Sequence, residues 1–296
     1  MTLQYFRPKS IEEAISLCQS YGEKAKYIAG GTDLMVKIKE RQLRPRYMIC
    51  LKGVPGIGQI HYEDGELRIG ALVTHRQLEF SPIIQKHFTI LFDAVQNIGS
   101  AQIRNVATIG GNIVNAAPSS DGAIPLITLG AKVEIIGAKG KRTMALEDIF
   151  TGPGQTVLEP GEILCELMVP KLPPRTGGAY LKHTRRAAME LPLLGVAVLI
   201  SLAEDLETCV EARIGLGVMA PTPMRAKNAE AVLKGNKLTD ALLEKAGKAA
   251  ASESKPRDTA RGEAWYRREM AEVLVQRVGR IAMERAKHAP LAQAKT

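Results

Sequence analysis

The apolar positions of this chain change between helical and strand spacing along its length. Near the amino end, helical spacing predicts one amphipathic helix with an apolar face of Ile11, Ala14, Ile15 and Cys18. Ser10 is placed to cap this helix, with Glu13 completing a capping box and Gly22 ending it. Short apolar runs then predict strands at 26–29 and 47–51, with a short helix at 34–39 between them. These elements form a first small α/β unit, residues 1–55.

Similar patterns predict a second unit over residues 56–175 and a third over 176–290. The second has a helix capped by Thr74, a helix at 88–98, and strands at 67–71 and 132–136. A proline-rich stretch at 170–175 is typical of an extended linker. The third has a predicted hairpin of runs 194–202 and 210–218, and helices at 226–233, 239–251 and 264–285. The pattern therefore predicts an α+β protein, with residues 291–296 as a disordered tail.

Two glycine doublets stand out against this pattern. The first lies in Ala29-Gly30-Gly31-Thr32-Asp33 and the second in Thr108-Ile109-Gly110-Gly111-Asn112, after apolar runs that predict strands at 26–29 and 106–109. Only Gly lets backbone N–H groups turn inward and approach a phosphate without a Cβ in the way. We therefore interpret the two glycine loops, 28–34 and 108–112, as holding one diphosphate between them. Two ordinary Gly-Gly turns are the alternative interpretation, since short glycine motifs match by chance.

The residues after the second glycine loop favour a nucleotide site. Small, hydroxyl and amide side chains crowd the stretch 112–121, where they can hydrogen-bond a ribityl chain and a pyrophosphate. The glycine spacing does not fit the G-x-G-x-x-G fingerprint of a Rossmann fold, and no G-x-x-x-x-G-K-[ST] phosphate loop occurs. The sequence therefore predicts a nucleotide-binding site of a non-Rossmann type.

Composition narrows the functional classes. The chain has 296 residues, 45% of them hydrophobic, which is enough for two or three compact units. No apolar run reaches the ~18 residues of a membrane span, and the amino terminus lacks the apolar stretch of a signal peptide. We therefore expect a cytoplasmic protein that does not bind a membrane. The net charge of +9 suits nucleic acid, but an aromatic content of 4% and the lack of a recognised module argue against it.

The cysteines argue against a metal site. Cys18, Cys50, Cys165 and Cys209 are scattered without a C-x-x-C pair. Iron–sulfur and zinc sites normally draw at least two ligands from one tight loop. We therefore expect no metal on this chain, and we expect Cys18, Cys50 and Cys165 to be small buried hydrophobes.

Taken together, these motifs resemble the FAD-binding subunit of the molybdenum hydroxylases, of the bacterial xanthine dehydrogenase type. The resemblance covers nearly the whole chain. It is carried by both glycine loops, by Ser119-Ser120-Asp121, and by landmarks at 99–105, 151–154, 162–164, 180–182 and 217–223. It implies a two-part FAD-binding domain of the non-Rossmann, vanillyl-alcohol-oxidase/PCMH-like type. A C-terminal α+β domain with a small antiparallel sheet and helices would follow.

The resemblance also implies a function. This chain would be an oxidoreductase component that binds FAD noncovalently and contributes no catalytic residue beyond the flavin. A large molybdenum subunit would hydroxylate the substrate, and a small iron–sulfur subunit would relay electrons to this chain, which passes them to NAD or another acceptor. Iron–sulfur clusters and the molybdenum cofactor are expected on those partner subunits only, in a dimer of heterotrimers.

The expected cofactor-binding residues come from the glycine loops and from the resemblance. Backbone N–H groups of both loops are expected to be the main phosphate donors, and Ser120 and Asp121 to face ribityl or adenosine hydroxyls. Leu164 and Lys182 match positions beside the flavin ring, where a cation stabilises negative charge on the reduced ring. As alternatives, Asp33 is only a helix cap and Lys182 only a solvent-facing strand residue. The expected residues are Ile28, Ala29, Gly30, Gly31, Thr32, Asp33, Leu34, Ile98, Thr108, Ile109, Gly110, Gly111, Asn112, Asn115, Ser120, Asp121, Leu164 and Lys182.

Two of these positions depart from the related xanthine dehydrogenases. Ile98 stands where they have an aromatic residue against the flavin, and Asn115 where they have a hydroxyl residue. The first change leaves the acceptor, NAD or oxygen, open. A free-standing FAD-dependent oxidase with its own substrate pocket is the alternative function, although none of the five histidines lies within either glycine loop. A nonenzymatic basic binding module is the third hypothesis.

Overall fold

The computed structural model describes residues 3–289, so the predicted disordered tail, 291–296, lies outside the described residues. The first unit contains β1 (Gln4–Phe6), α1 (Ile11–Tyr21), β2 (Ala25–Ile28), α2 (Leu34–Lys39) and β3 (Tyr47–Cys50). Its three strands form a parallel sheet in the order β1-β3-β2. The first glycine loop thus connects the end of β2 to α2.

The helix α1 begins and ends where the sequence predicts. The Ser10 side chain accepts the Glu13 N–H at 3.1 Å, and Gly22 ends the helix with φ 56°. Glu13 accepts a backbone N–H at 2.7 Å, but from Lys9, the residue before the cap. The core under α1 includes Ala14, Ile15 and Ile49, and it also takes in Ile163 and Cys165 from the second unit. The first two units therefore share a core.

The second unit is an antiparallel sheet with helices packed on it. Its elements are β4 (Ile60–Glu63), β5 (Glu66–Gly70), α3 (His75–Phe80), α4 (Pro82–His87), α5 (Thr89–Val95), α6 (Ala101–Val106), α7 (Ile109–Val114), α8 (Ala123–Thr128), β6 (Lys132–Gly137), β7 (Gly140–Ala145), β8 (Phe150–Gly152), β9 (Gln155–Thr156) and β10 (Ile163–Val169). The sheet order is β4-β5-β10-β6-β7, with β8 and β9 as a separate pair. The main hydrophobic core lies between this sheet and its helices.

The strand predicted at 106–109 is wrong. The apolar residues there belong to two helix ends, because α6 ends at Val106 and α7 begins at Ile109. Side-chain caps define both helix starts: Ser100 accepts the N–H of Ile103, and Thr108 accepts the N–H of Gly111. The second glycine loop is therefore the first turn of a helix.

The third unit is a four-stranded antiparallel sheet covered by helices. It comprises β11 (Thr176–His183), β12 (Leu194–Leu202), β13 (Cys209–Gly217), β14 (Met224–Arg225), α9 (Lys227–Leu233), α10 (Asp240–Glu253) and α11 (Ala264–Lys287). The strands follow the order β11-β12-β13-β14, which confirms the predicted hairpin of β12 and β13. All nine residues of β12 are buried. The predicted α+β class with a C-terminal antiparallel sheet and helices is confirmed.

A hydrogen-bonded contact joins the third unit to the second. Asp93 of α5 accepts the backbone N–H of Tyr180 at 3.2 Å, and its other carboxylate oxygen lies 3.2 Å from a guanidinium nitrogen of Arg285. Strand β11 is thereby held against the helices of the second unit, and it carries Lys182 to the site described next. None of the helices in residues 3–289 combines the length and apolar character needed to cross a lipid bilayer.

Candidate cofactor site

Both glycine loops line one cavity of about 550 Å³. This volume falls within the roughly 300–1,000 Å³ typical of small-molecule sites. Ile109 does not line the cavity, because its side chain is fully buried in the core. The other expected residues do line it: Ile28, Ala29, Gly30, Gly31, Thr32, Asp33, Leu34, Ile98, Thr108, Gly110, Gly111, Asn112, Asn115, Ser120, Asp121, Leu164 and Lys182.

Close backbone packing requires a glycine in each loop. A Cβ at Gly30 would overlap the carbonyl oxygen of Val106 and lie 2.8 Å from the Cα of Ala107. A Cβ at Gly110 would lie 2.5 Å from the Cβ of Ala71 and 2.7 Å from its carbonyl oxygen. The glycines therefore let the first loop reach the second, and the second reach the end of β5.

The first glycine loop has unpaired backbone donors. Within the described residues, the N–H groups from Gly30 to Leu34 have no hydrogen-bond acceptor. Gly31 has a positive φ of 76°, which turns the chain at the doublet. A run of N–H groups without an acceptor, in residues that line a cavity, suits an anion with several oxygens.

The second glycine loop differs, which corrects the expectation that its N–H groups are free phosphate donors. The N–H groups of Ile109 and Gly110 donate to the carbonyls of Val73 and Ala71, both at 2.9 Å. Those of Gly111 and Asn112 donate to the side chain and the carbonyl of Thr108, at 3.2 and 2.9 Å. This loop is thus a packed helix start, and it contributes its shape and side chains to the cavity.

Ser120 and Asp121 are almost completely buried in the cavity wall. The hydroxyl of Ser120 donates to Oδ1 of Asn112 at 2.6 Å. Asp121 accepts the hydroxyl of Tyr180 on Oδ1 at 2.6 Å and the ammonium of Lys182 on Oδ2 at 2.8 Å. Burial raises the pKa of the Asp121 carboxyl, and Lys182 and Tyr180 oppose that rise. Burial and the neighbouring Asp121 raise the pKa of Tyr180 well above its usual value, so the phenol keeps the proton that it donates.

Lys182 is not a solvent-facing strand residue, because its side chain is only 8% exposed. Its ammonium donates to Asp121 and, at 3.0 Å, to the carbonyl of Asn97. A lysine has three N–H donors, so one remains for a group in the cavity. Ile98, which follows Asn97 in the chain, and Leu164 are apolar and also line the cavity. The lining therefore includes apolar walls as well as the Lys182 ammonium.

Asp33 makes no cap hydrogen bond to α2. Its Oδ1 instead accepts the side-chain N–H of Asn115 at 3.1 Å. Asn115 Oδ1 in turn accepts the ammonium of Lys37 at 3.0 Å. The helix-cap alternative for Asp33 is therefore wrong, and Asp33, Asn115 and Lys37 form a connection between the two glycine loops.

Several residues of the cavity lining are not among the expected cofactor-binding residues. Lys37, Glu162 and Met189–Leu191 line it from α2, from the turn before β10 and from the β11–β12 connection. Lys37 could have been found from its spacing, because it lies four residues after Asp33 and residues four apart share a helix face. The β11–β12 residues carry no motif.

His75, also in the lining, is fully buried, and neither ring nitrogen has a hydrogen-bond partner. Burial, with a smaller contribution from Arg104, lowers its pKa to about 4. The imidazole is therefore neutral at pH 7. Within residues 3–289 no group of three or more His, Cys, Asp or Glu side chains is placed to hold a metal ion.

The donor set fits a flavin dinucleotide. Free N–H groups and Lys37 suit a diphosphate, whereas Ile98, Leu164 and Lys182 suit an apolar ring system that becomes negatively charged on reduction. Thr32 and Asn112 also line the cavity, and their hydroxyl and amide groups can hydrogen-bond the hydroxyls of such a ligand.

Comparisons with known proteins agree with this interpretation. The family model for the FAD binding domain in molybdopterin dehydrogenase matches residues 1–172, and the model for the CO dehydrogenase flavoprotein C-terminal domain matches residues 179–282. A putative xanthine dehydrogenase FAD-binding subunit of Escherichia coli is 34% identical over 93% of this chain and 94% of its own. The carbon monoxide dehydrogenase medium chain of Afipia carboxidovorans is 34% identical over 97% of this chain and 99% of its own.

The fold agrees as well. A structure of carbon monoxide dehydrogenase from Hydrogenophaga pseudoflava, lacking the Mo-pyranopterin moiety of its cofactor, contains a chain that superposes with a TM-score of 0.92. It covers 96% of this chain and 98% of its own, at 33% identity. The predicted non-Rossmann FAD-binding fold with a C-terminal sheet-and-helix domain is confirmed.

Proposed function

The chain belongs to the FAD-binding subunits of the molybdenum hydroxylase family, and we propose that it is the electron outlet of a multi-subunit oxidoreductase. In this role it accepts electrons from iron–sulfur clusters on a small partner subunit and passes them to NAD or another acceptor. A large molybdenum subunit carries the substrate chemistry. The relatives support separate subunits by their names, which are FAD-binding subunit and medium chain.

The observation that carries the proposal is the pair of unlike glycine loops in one cavity. FAD exchanges electrons singly with iron–sulfur centres and in pairs with a nicotinamide, which is the chemistry that the outlet requires. The N–H groups from Gly30 to Leu34 would hold its diphosphate, and the packed second loop would support it from the other side. Asn112, Ser120 and Asp121 would lie along the ribityl and adenosine hydroxyls.

The third unit contributes the part of the site nearest the flavin ring. Lys182 projects from β11 between Asp121 and the carbonyl of Asn97, so its position is fixed. Its remaining N–H would stabilise negative charge on the reduced ring. Ile98 and Leu164 would pack on the ring and exclude water, and the aliphatic Ile98 provides no aromatic stacking surface.

The remaining features of the proposal rest on the family resemblance. They are a cytoplasmic location, a dimer of heterotrimers, and domain boundaries near residues 55 and 175. Relatives of equal identity are named for xanthine and for carbon monoxide, so the substrate is a property of the partner subunits.

Cofactor analysis of the purified full chain tests this function. We expect a flavin absorbance without iron–sulfur bands, and FAD in the supernatant after denaturation, as chromatography would identify. Coexpression with an iron–sulfur subunit and a molybdenum subunit of the family should give a complex in which substrate reduces the flavin. A colourless chain that does not take up added FAD would overturn the proposal. FAD reduction by a small substrate without partner chains would instead favour the free-standing oxidase.

A further inference from the structure

Asn115 connects the two glycine loops through one side-chain amide. It follows α7, and its Nδ2 and Oδ1 bond Asp33 and Lys37 of the first loop and α2. Only one orientation of the amide satisfies both contacts, because an ammonium can only donate and a carboxylate can only accept. The amide is therefore matched to two opposite charges that lie four residues apart.

Little else holds α2 in place. None of its six residues is buried, and Met35 and Val36 are 47% and 49% exposed. Within the described residues, the two bonds of Asn115 are the side-chain hydrogen bonds that join segment 29–39 to the second unit. The closing of the first loop over the cavity therefore depends on Asn115 and on the backbone contact at Gly30.

The charge of Lys37 is not compensated directly. Among the described residues no carboxylate lies within ion-pair distance of its ammonium. The other cavity-lining lysine, Lys182, is paired with Asp121, and the lining carboxylates Glu162 and Glu190 are paired with arginines. Asp33 also lines the cavity, and among the described residues its carboxylate has an amide partner but no cationic one. Asn115 thus lies between these two opposite charges, and Lys37 brings an ammonium to the cavity beside the N–H groups of the first loop.

We propose that Asn115 is the positioning residue that closes the first glycine loop onto FAD, and that Lys37, oriented by it, supplies the cation for the cofactor's diphosphate. The inference rests on the proposed function, since it assigns a role toward the same FAD. It explains why an amide suits position 115: the Asn side chain reaches further from its backbone than a hydroxyl and carries its donor and its acceptor on separate atoms, one for each partner.

An exchange of side chains tests the positioning role on the full chain. Asn115→Asp places a second carboxylate against Asp33, so FAD affinity should fall about tenfold and FAD dissociation should accelerate. The double variant D33N/N115D restores an amide against a carboxylate, and Lys37 still has an acceptor. It should recover FAD affinity to within about threefold of the original chain, with unchanged melting of the cofactor-free protein in both variants. A double variant no better than N115D would overturn the proposal.

The charge role has its own test, with a matched control on the same helix. Lys37→Gln should lower FAD affinity about tenfold and flatten its dependence on NaCl concentration, because one screened charge contact is lost. Lys39→Gln removes an equal charge from an exposed residue outside the cavity. It should leave the FAD affinity and its dependence on NaCl concentration unchanged. Equal effects of the two substitutions would overturn the proposal. If the unaltered chain takes up no FAD, the proposed function itself fails.

Discussion

The two glycine loops look alike in sequence, but their backbones are used differently. The N–H groups of Gly30 to Leu34, which line the cavity, have no acceptor among the described residues, whereas Ile109 to Asn112 donate theirs to Val73, Ala71 and Thr108. The first loop can therefore bind an anion directly, and the second forms a rigid wall. A Gly-Gly pair in a sequence thus does not distinguish a donor site from a site of close packing.

The two loops also differ in how firmly they are packed. In α7 the residues Ile109, Gly110 and Ile113 are buried, whereas α2 has no buried residue. Elements with few buried contacts open locally at low free-energy cost. We therefore expect substitutions around the second loop to lower stability, and substitutions around the first loop to lower FAD affinity with little effect on stability.

The largest contrast should come from the two cavity lysines. Lys182→Met leaves Asp121 buried without its counter-charge, so the free energy of unfolding should fall by about 3 kcal/mol. Lys37→Met removes a half-buried side chain with an amide partner and should change the free energy of unfolding by less than about 0.5 kcal/mol. Denaturant titrations of the cofactor-free variants measure both values. Similar losses in the two variants would contradict the difference in burial and charge pairing between the two lysines.

The next contrast is in the pH dependence of stability, which should come mainly from His75, a residue packed beside the second loop. His75 donates its backbone N–H to the carbonyl of Ala107, and its pKa is lowered to about 4 in the folded state. The imidazole of the unfolded state, with a pKa of about 6.5, therefore binds one more proton between these two pH values. Stability should be complete above pH 6.5 and fall by up to about 3 kcal/mol on acidification to pH 4.

His75→Phe removes this titration and two buried nitrogens without partners, so it should be neutral or stabilising at pH 7. The stability difference between this variant and the original chain should grow as the pH falls. Unfolding curves measured between pH 4 and 8 provide the check. Parallel pH profiles for the two proteins would show that His75 does not carry the effect.

Replacing one glycine of each loop by alanine adds a single Cβ to each loop, so the resulting losses of stability can be compared. Gly110→Ala overlaps Ala71 inside a buried helix, so unfolding should become easier by about 1–3 kcal/mol. Gly30→Ala should cost less stability, because the partly exposed first loop can move away from Val106, but that movement should abolish most FAD binding. Gly58→Ala is the control, since its nearest neighbour, the Cβ of Leu72, lies 4.0 Å away. A larger stability loss for Gly30→Ala than for Gly110→Ala would mean that the first loop, not the second, is the tightly packed one.

The smallest expected effect concerns the cap of α7. Thr108→Ala removes the acceptor of the Gly111 N–H and should cost about 1 kcal/mol of stability, which Thr108→Ser should restore. Asp33→Ala, at the equivalent position before α2, removes no cap and should leave stability within about 0.5 kcal/mol. Thermal unfolding of the three variants distinguishes them. An equal loss for Asp33→Ala would mean that its carboxylate does cap α2.

Much of the fold, and the two glycine loops of the site, could be predicted from local sequence. The glycine loops, the cap at Ser10 and the hairpin of β12 and β13 depend on residues close together in the chain. The strand predicted at 106–109 failed because a short apolar run does not distinguish a strand from adjoining helix ends.

The use of the loop N–H groups could not be predicted in the same way. It depends on β5 ending against α7, so that Ala71 and Val73 accept the N–H groups of Gly110 and Ile109. The pairing of Asp121 with Lys182 likewise requires β11 to reach the second unit. Such acceptors are distant in sequence, and their positions depend on how the units pack.

Hydrogen–deuterium exchange of the full chain with and without FAD tests the central claim, that two unlike loops hold one cofactor. Without FAD, the backbone N–H groups of residues 30–39 should exchange rapidly and those of 109–115 slowly. Added FAD should slow exchange strongly in 30–39 and only slightly in 109–115, because the second set is already hydrogen-bonded. Equal protection of the two segments before FAD is added, or no new protection in 30–39 afterwards, would contradict the account.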